Sequence, residues 1–142
     1  MTKQSSLKGW HISLWIVQFL LAAVNIMAGS MKLFQPIEEM SKTIPWVSEV
    51  SSGLVRFVGL SELAGGLGLL LPALLRFQPR LTVLAALGLA LVQVMAAIFH
   101  LTRGEGSQIG INLVFAALAY LVYWGRTKKF PILAKGGTPA RA

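Results

Sequence analysis

The chain has 142 residues, 55% of them apolar before its 14 glycines are counted, and only 13% charged. That balance excludes a disordered chain and argues against an ordinary soluble domain, which is about 45–50% apolar with glycine included. Thirteen Lys and Arg against five acids give a net charge of +8, and the absence of Cys excludes disulfide, thiol and Cys-ligated cluster chemistry.

Four apolar segments follow one another, at about 12–33, 54–75, 81–101 and 108–125. Each approaches the roughly 20 residues that a helix needs to cross a bilayer, where backbone groups find no water. The expected fold class is all-α. A polytopic membrane protein forms one four-transmembrane-helix bundle over residues 1–126, and 127–142 follows as a basic, flexible cytoplasmic tail. Lys3 and Lys8 before an apolar stretch ending at Ala28-Gly29-Ser30 resemble a secretory signal, but the stretch is long and Gln18 and Asn25 interrupt it.

On the first helix His11, Trp15, Gln18, Ala22, Asn25, Gly29 and Lys32 recur at spacings of 4 and 3, one polar or small face. Such a face is either an interhelical seam or, at its far end, the lining of a pocket. In the connection that follows, Ile37, Met40, Ile44 and Val47 share a helical face between Pro36 and Pro45. We expect a short amphipathic surface helix between the first and second spans, roofing the bundle mouth.

The second helix carries Arg56 near its start and Glu62 eight residues past Leu54, roughly 12 Å along the axis. A carboxylate at that depth must be protonated or paired, and Lys32 and Arg56 are the nearby cations. The third helix brings Gln93, Ala97 and His100 to one face, and the fourth brings Asn112, Ala116 and Ala119.

Positive charge sets the orientation. Nine cations (Lys3, Lys8, Arg76, Arg80, Arg126, Lys128, Lys129, Lys135 and Arg141) fall on one side. Lys32, Lys42, Arg56 and Arg103 fall on the other. Both termini are therefore expected in the cytoplasm, with the protein multi-pass in a bacterial inner membrane. Asn25, Lys32, Arg56, Glu62, Gln93, His100 and Asn112 then form the candidate ligand or proton site, in the outer half. The inner half is expected to be mostly apolar along the second, third and fourth helices. His11 and His100 sit at opposite ends, so one chain cannot supply both ligands of a bis-histidine haem. No zinc set, phosphate loop or dinucleotide fingerprint is evident.

Three stretches carry a resemblance in their order and spacing. They are Ala28-Gly29-Ser30-Met31-Lys32-Leu33, Arg56-Phe57-Val58-Gly59-Leu60-Ser61-Glu62-Leu63-Ala64-Gly65 with Leu71-Pro72 beyond it, and Phe99-His100-Leu101-Thr102-Arg103-Gly104-Glu105 followed by Asn112-Leu113. Over about residues 12–126 the chain resembles the DoxX-like family of small four-helix membrane proteins. The resemblance implies a four-helix bundle. Its name comes from a subunit of an archaeal thiosulfate:quinone oxidoreductase, and relatives are linked to membrane oxidoreductase complexes, oxidative-stress defence, cargo handling or receptor assembly. It assigns no chemical role to any residue.

The expected function is a subunit of, or accessory to, a membrane redox system, with an outer polar pocket for a quinone-like or other small amphiphilic ligand. A non-catalytic scaffold or assembly factor is the main alternative, and a small-molecule or proton-coupled transporter the third. Expected partners are the lipid bilayer, other membrane or redox subunits and further copies of the chain, with no nucleic acid.

Overall fold

A computed structural model describes residues 2–136, with side chains from residue 4. It contains five α-helices in the order α1 (Thr2–Phe34), α2 (Ile37–Ser41), α3 (Ser52–Leu75), α4 (Arg80–Thr102) and α5 (Gly106–Trp124). A 3-10 turn (Pro45–Ser48) follows α2, and a π-helical turn (Gly125–Lys129) extends α5. The helices α1, α3, α4 and α5 are long and apolar enough to cross a membrane. The protein is thus all-helical among its described residues, as its composition demands.

The four long helices pack in a ring, α1 on α3, α3 on α4, α4 on α5, and α5 back on α1. Small residues fill the seams: Ala22, Ala86, Ala90 and Ala119 join Leu21, Leu69, Leu89 and Val122 in the central core. Lipid tails supply little drive for helices to associate, so close backbone approach and interhelical hydrogen bonds carry the packing. The outward faces are strongly apolar, with Phe19, Leu60, Leu91, Ile98 and Val114 all exposed. A girdle of this kind is stable in hydrocarbon and would drive aggregation in water.

Two features differ from expectation, the start of α1 and the connection after it, while α3 ends at the expected Leu75. Helix α1 begins at Thr2 rather than near residue 12, so its polar first turns continue the span without a break. Helix α3 runs through Pro72 to Leu75 and closes on Arg76, which adopts the left-handed conformation at φ 53°. The connection from α1 to α3 is not one amphipathic helix. Thr43 and Pro45 lack helical continuity, so α2 ends at Ser41 and the 3-10 turn begins at Pro45. The expected apolar face survives the break: Met40 and Val47 are fully buried with Val55, and Ile37 and Ile44 pack against them. This segment is called the roof below, and the two ends of the bundle are the roofed end and the tail end.

Residues 127–142 were expected to form a flexible tail. Within the described part, Arg76 Nε donates to Leu133 O at 2.8 Å and Lys135 N donates to Arg76 O at 3.0 Å, which docks 133–135 on the α3–α4 hairpin. Residues 137–142 lie outside the described residues.

Candidate functional site

The polar face of α1 is a seam. Gln18, Ala22, Asn25, Gly29 and Lys32 are all buried, while Ile12, Ile16 and Phe19 point outward. Its closest approach is glycine to glycine. A Cβ on Gly29 would lie 2.5 Å from Leu63 N and 2.6 Å from Gly59 O, and one on Gly59 would lie 2.7 Å from Lys32 Cβ. Only hydrogen fits at both positions, and the resulting contact brings the last turn of α1 onto the second turn of α3 and beyond.

Lys32 and Glu62 meet there. Lys32 Nζ donates to Glu62 Oε2 at 2.7 Å, with side chains only 10% and 11% exposed. Each ion makes the other tolerable at this depth, because a lone buried charge carries a large desolvation cost. Arg56 lies beside the pair but serves α1: its Nη1 donates to Lys32 O at 2.5 Å and Gln35 O at 2.8 Å. These are carbonyls at the end of a helix, which otherwise lack partners. The expectation that Glu62 is paired with a nearby cation and the expectation of a ligand site thus fall on the same atoms.

A second network fastens the roof. Arg103 Nη1 binds Glu49 Oε2 at 2.7 Å, and its Nε binds Glu105 Oε1 at 3.0 Å. Glu105 also meets His100 Nδ1 at 2.5 Å. Trp46 of the roof stacks edge-on against Phe99 and His100, and Arg103 lies over the Phe99 ring. Hydrogen bonding from Arg103 holds the Glu49 carboxyl below its ordinary value, and that from His100, then Arg103, does the same for Glu105. The two carboxylates in turn raise the Arg103 guanidinium. Glu49, Arg103 and Glu105 were not expected in the site, because each reads as an isolated loop charge. Their signal is the Arg-Gly-Glu turn after His100, which folds Glu105 back onto both neighbours.

The remaining candidates divide. Gln93 is buried and its Oε1 has no partner among the described residues. It lies thirteen residues from the start of α4, as Glu62 lies thirteen from the end of α3, so the hairpin places both at one depth. Asn25 is buried but donates to Leu21 O of its own helix at 2.8 Å. Asn112 is half-exposed and donates to Gln108 O, also on its own helix. His100 belongs to the roof network. The bundle brings Lys32, Glu62 and Arg56 together, with Gln93 level with them. It joins neither Asn25 nor Asn112 to that group by a hydrogen bond. A groove of about 290 Å³ lies elsewhere, at Ser6, Gly9, Trp10 and Ser13.

The tail end holds a polar cluster that the sequence reading missed. Its centre is Arg126, which was expected beyond the fourth span with the basic tail but is only 2% exposed. Its Nε donates to Gln18 Oε1 at 3.0 Å, and Gln18 Nε2 donates to Leu69 O at 2.5 Å. Trp15 lies under the guanidinium at 4.8 Å, and His11 and Phe130 complete the group. Arg126 reads as the first residue after a span. The π-helical turn carries it inward, where Gly125 packs against Leu14. Among the described residues no group of three or more His, Cys, Asp or Glu is placed to hold a metal.

Against known families, the DoxX-like family profile matches residues 16–122. The chain belongs to the DoxX-like family. The matched span runs from Ile16 on α1 to Val122 on α5, so it includes the glycine seam, the Lys32–Glu62 pair and the roof. No curated protein and no solved structure matches the chain. This DoxX-like protein is therefore a membrane protein of that family, in contact with lipid along four helices.

Proposed function

We propose that this DoxX-like chain is a membrane subunit of, or accessory to, a redox system, and that its roofed end takes a quinone-like or other small amphiphilic ligand from the bilayer. The observation that carries the reading is the buried Lys32–Glu62 pair with the unpartnered Gln93 Oε1 at its depth. Lys32 Nζ is a charged donor for a carbonyl oxygen, Glu62 is a carboxyl able to take or give a proton, and Gln93 Oε1 is an acceptor for a hydroxyl. Arg56 stays on the carbonyls of α1 and keeps Lys32 in place. The roof covers the polar end, so the ligand enters between helices from the lipid. By the distribution of Lys and Arg, the roofed end faces away from the cytoplasm of an inner membrane, and the tail end faces into it.

A scaffold or assembly role is the second reading, favoured by the closed glycine seam around the pair, which leaves the ion pair fully used within the chain. Extraction of the purified protein separates the two. The redox reading expects a quinone or similar lipid near one per chain in the wild type and its loss in Glu62→Gln. Protein free of any such ligand, with partner activity unchanged in Glu62→Gln at equal protein amounts, supports the scaffold.

A further inference from the structure

Arg126 is a buried cation that no acidic side chain neutralises among the described residues. All five acidic residues lie towards the other end: Glu38, Glu39 and Glu49 in the roof connection, Glu62 on α3 and Glu105 before α5. One of its N–H groups goes to Gln18 Oε1 and another to Phe130 O at 3.3 Å. Its Nη2 is buried and has no partner among the described residues. An unmade hydrogen bond on a buried charged group is costly, so the position calls for an acceptor.

His11 shows where that acceptor belongs. Trp15 Nε1 only donates and reaches His11 Nε2 at 3.2 Å, and a neutral imidazole accepts at one nitrogen only. Yet Nδ1 faces Arg126 Nη1 at 3.3 Å. Two donors thus compete for one acceptor, and in the tautomer that serves Trp15 the Nδ1–H and the Arg126 Nη1–H face each other. Thr82 lies twenty residues before the end of α4, as Arg126 lies twenty past the start of α5, and its buried Oγ1 also lacks a partner. His11 is exposed, which leaves the donor pair reachable from outside the bundle.

We propose that Arg126 and His11 bind a phosphate oxyanion, the phosphodiester of an anionic lipid headgroup or a free phosphate group. One phosphate oxygen accepts from His11 Nδ1–H and Arg126 Nη1–H and removes the donor conflict. A second oxygen reaches Nη2–H, in the forked geometry that suits guanidinium to phosphate. Arg76, Lys128, Lys129 and Lys135 at the same end favour anions there. Trp15 fixes the guanidinium plane from below.

The test is native mass spectrometry and thermal melting of the full chain with phosphatidylglycerol, with a galactosyl diglyceride that lacks phosphate, and with inorganic phosphate. The wild type is expected to retain and be stabilised by phosphatidylglycerol over the glycolipid. Arg126→Gln and His11→Phe are expected to weaken that retention by about tenfold or more, as loss of a charge-assisted hydrogen bond implies. Displacement by inorganic phosphate identifies a free phosphate as the ligand, and resistance to displacement identifies the headgroup. His11→Phe keeps the ring contacts with Trp15 and Phe130, so it carries the test if Arg126→Gln does not fold. Equal retention of both lipids by the wild type, or unchanged phosphatidylglycerol binding in His11→Phe, overturns the proposal.

Discussion

At the roofed end Lys32 meets Glu62 at 2.7 Å, and both charges are spent inside the chain. At the tail end Arg126 is buried more completely, and among the described residues it meets no carboxylate but a glutamine, a backbone carbonyl, the His11 ring and an indole face. The same bundle thus buries charge in two ways, one closed and one left open. The difference teaches that burial alone does not mark a ligand site. What marks it is the balance of donors and acceptors around the buried group, and Gln93 Oε1 and Arg126 Nη2 are where that balance fails.

The largest expected effect comes from prising the roofed end apart. Gly29→Val puts heavy atoms into the α3 backbone, where already a Cβ has no room. We expect loss of at least about 3 kcal/mol or outright failure to fold, read by melting in detergent. A wild-type melting temperature would refute the seam. Next is Glu62→Leu, which leaves Lys32 buried without a partner and is expected to cost about 3–5 kcal/mol. The double variant Lys32→Met, Glu62→Leu should recover most of it, because two apolar side chains need no partner. If the double variant is no better than the single, the pair is not what limits stability.

At the tail end the effect should be smaller. Arg126→Met removes a charge that no acidic side chain balances among the described residues, and it leaves Gln18 Oε1 short of a donor, at about 1–3 kcal/mol. Measured without phospholipid, its loss should fall below that of Glu62→Leu; the reverse order would contradict the contrast between the two ends.

The smallest effect concerns the roof. Glu49 and Glu105 have carboxyls held below their ordinary 4.5 by Arg103 and His100. A lowered folded value means that the contribution is complete above 4.5 and is lost as pH falls through the lowered values. A spin label at the exposed Ser48 should therefore stay immobile at neutral pH and gain mobility only in acid below that point. Glu49→Gln should free it at neutral pH, and a label indifferent to both changes would detach the roof from Arg103.

The sequence made the bundle legible because a 4 and 3 spacing of polar and small residues along α1 has one helical meaning. It made Lys32 and Glu62 legible because intramembrane charge is rare and must be paired. Asn112 was misleading: Ala116 and Ala119 on its face are buried, but α5 starts at Gly106, and its opening turn leaves Asn112 free to bond Gln108 O. Arg126 was invisible for a different reason. Its place after the last apolar run gives the pattern of a snorkelling interface residue, and only the π-helical turn at Gly125 turns it inward. A pattern of residue types carries no sign of such a turn.

The most direct test of the proposed role is titration of a short-chain quinone into wild type and Glu62→Gln in nanodiscs, followed by quenching of tryptophan fluorescence. The account predicts saturable binding by the wild type that weakens about tenfold or more in Glu62→Gln, as loss of a hydrogen bond to a charged group implies. No saturable binding by the wild type, or equal binding by both proteins, would contradict it.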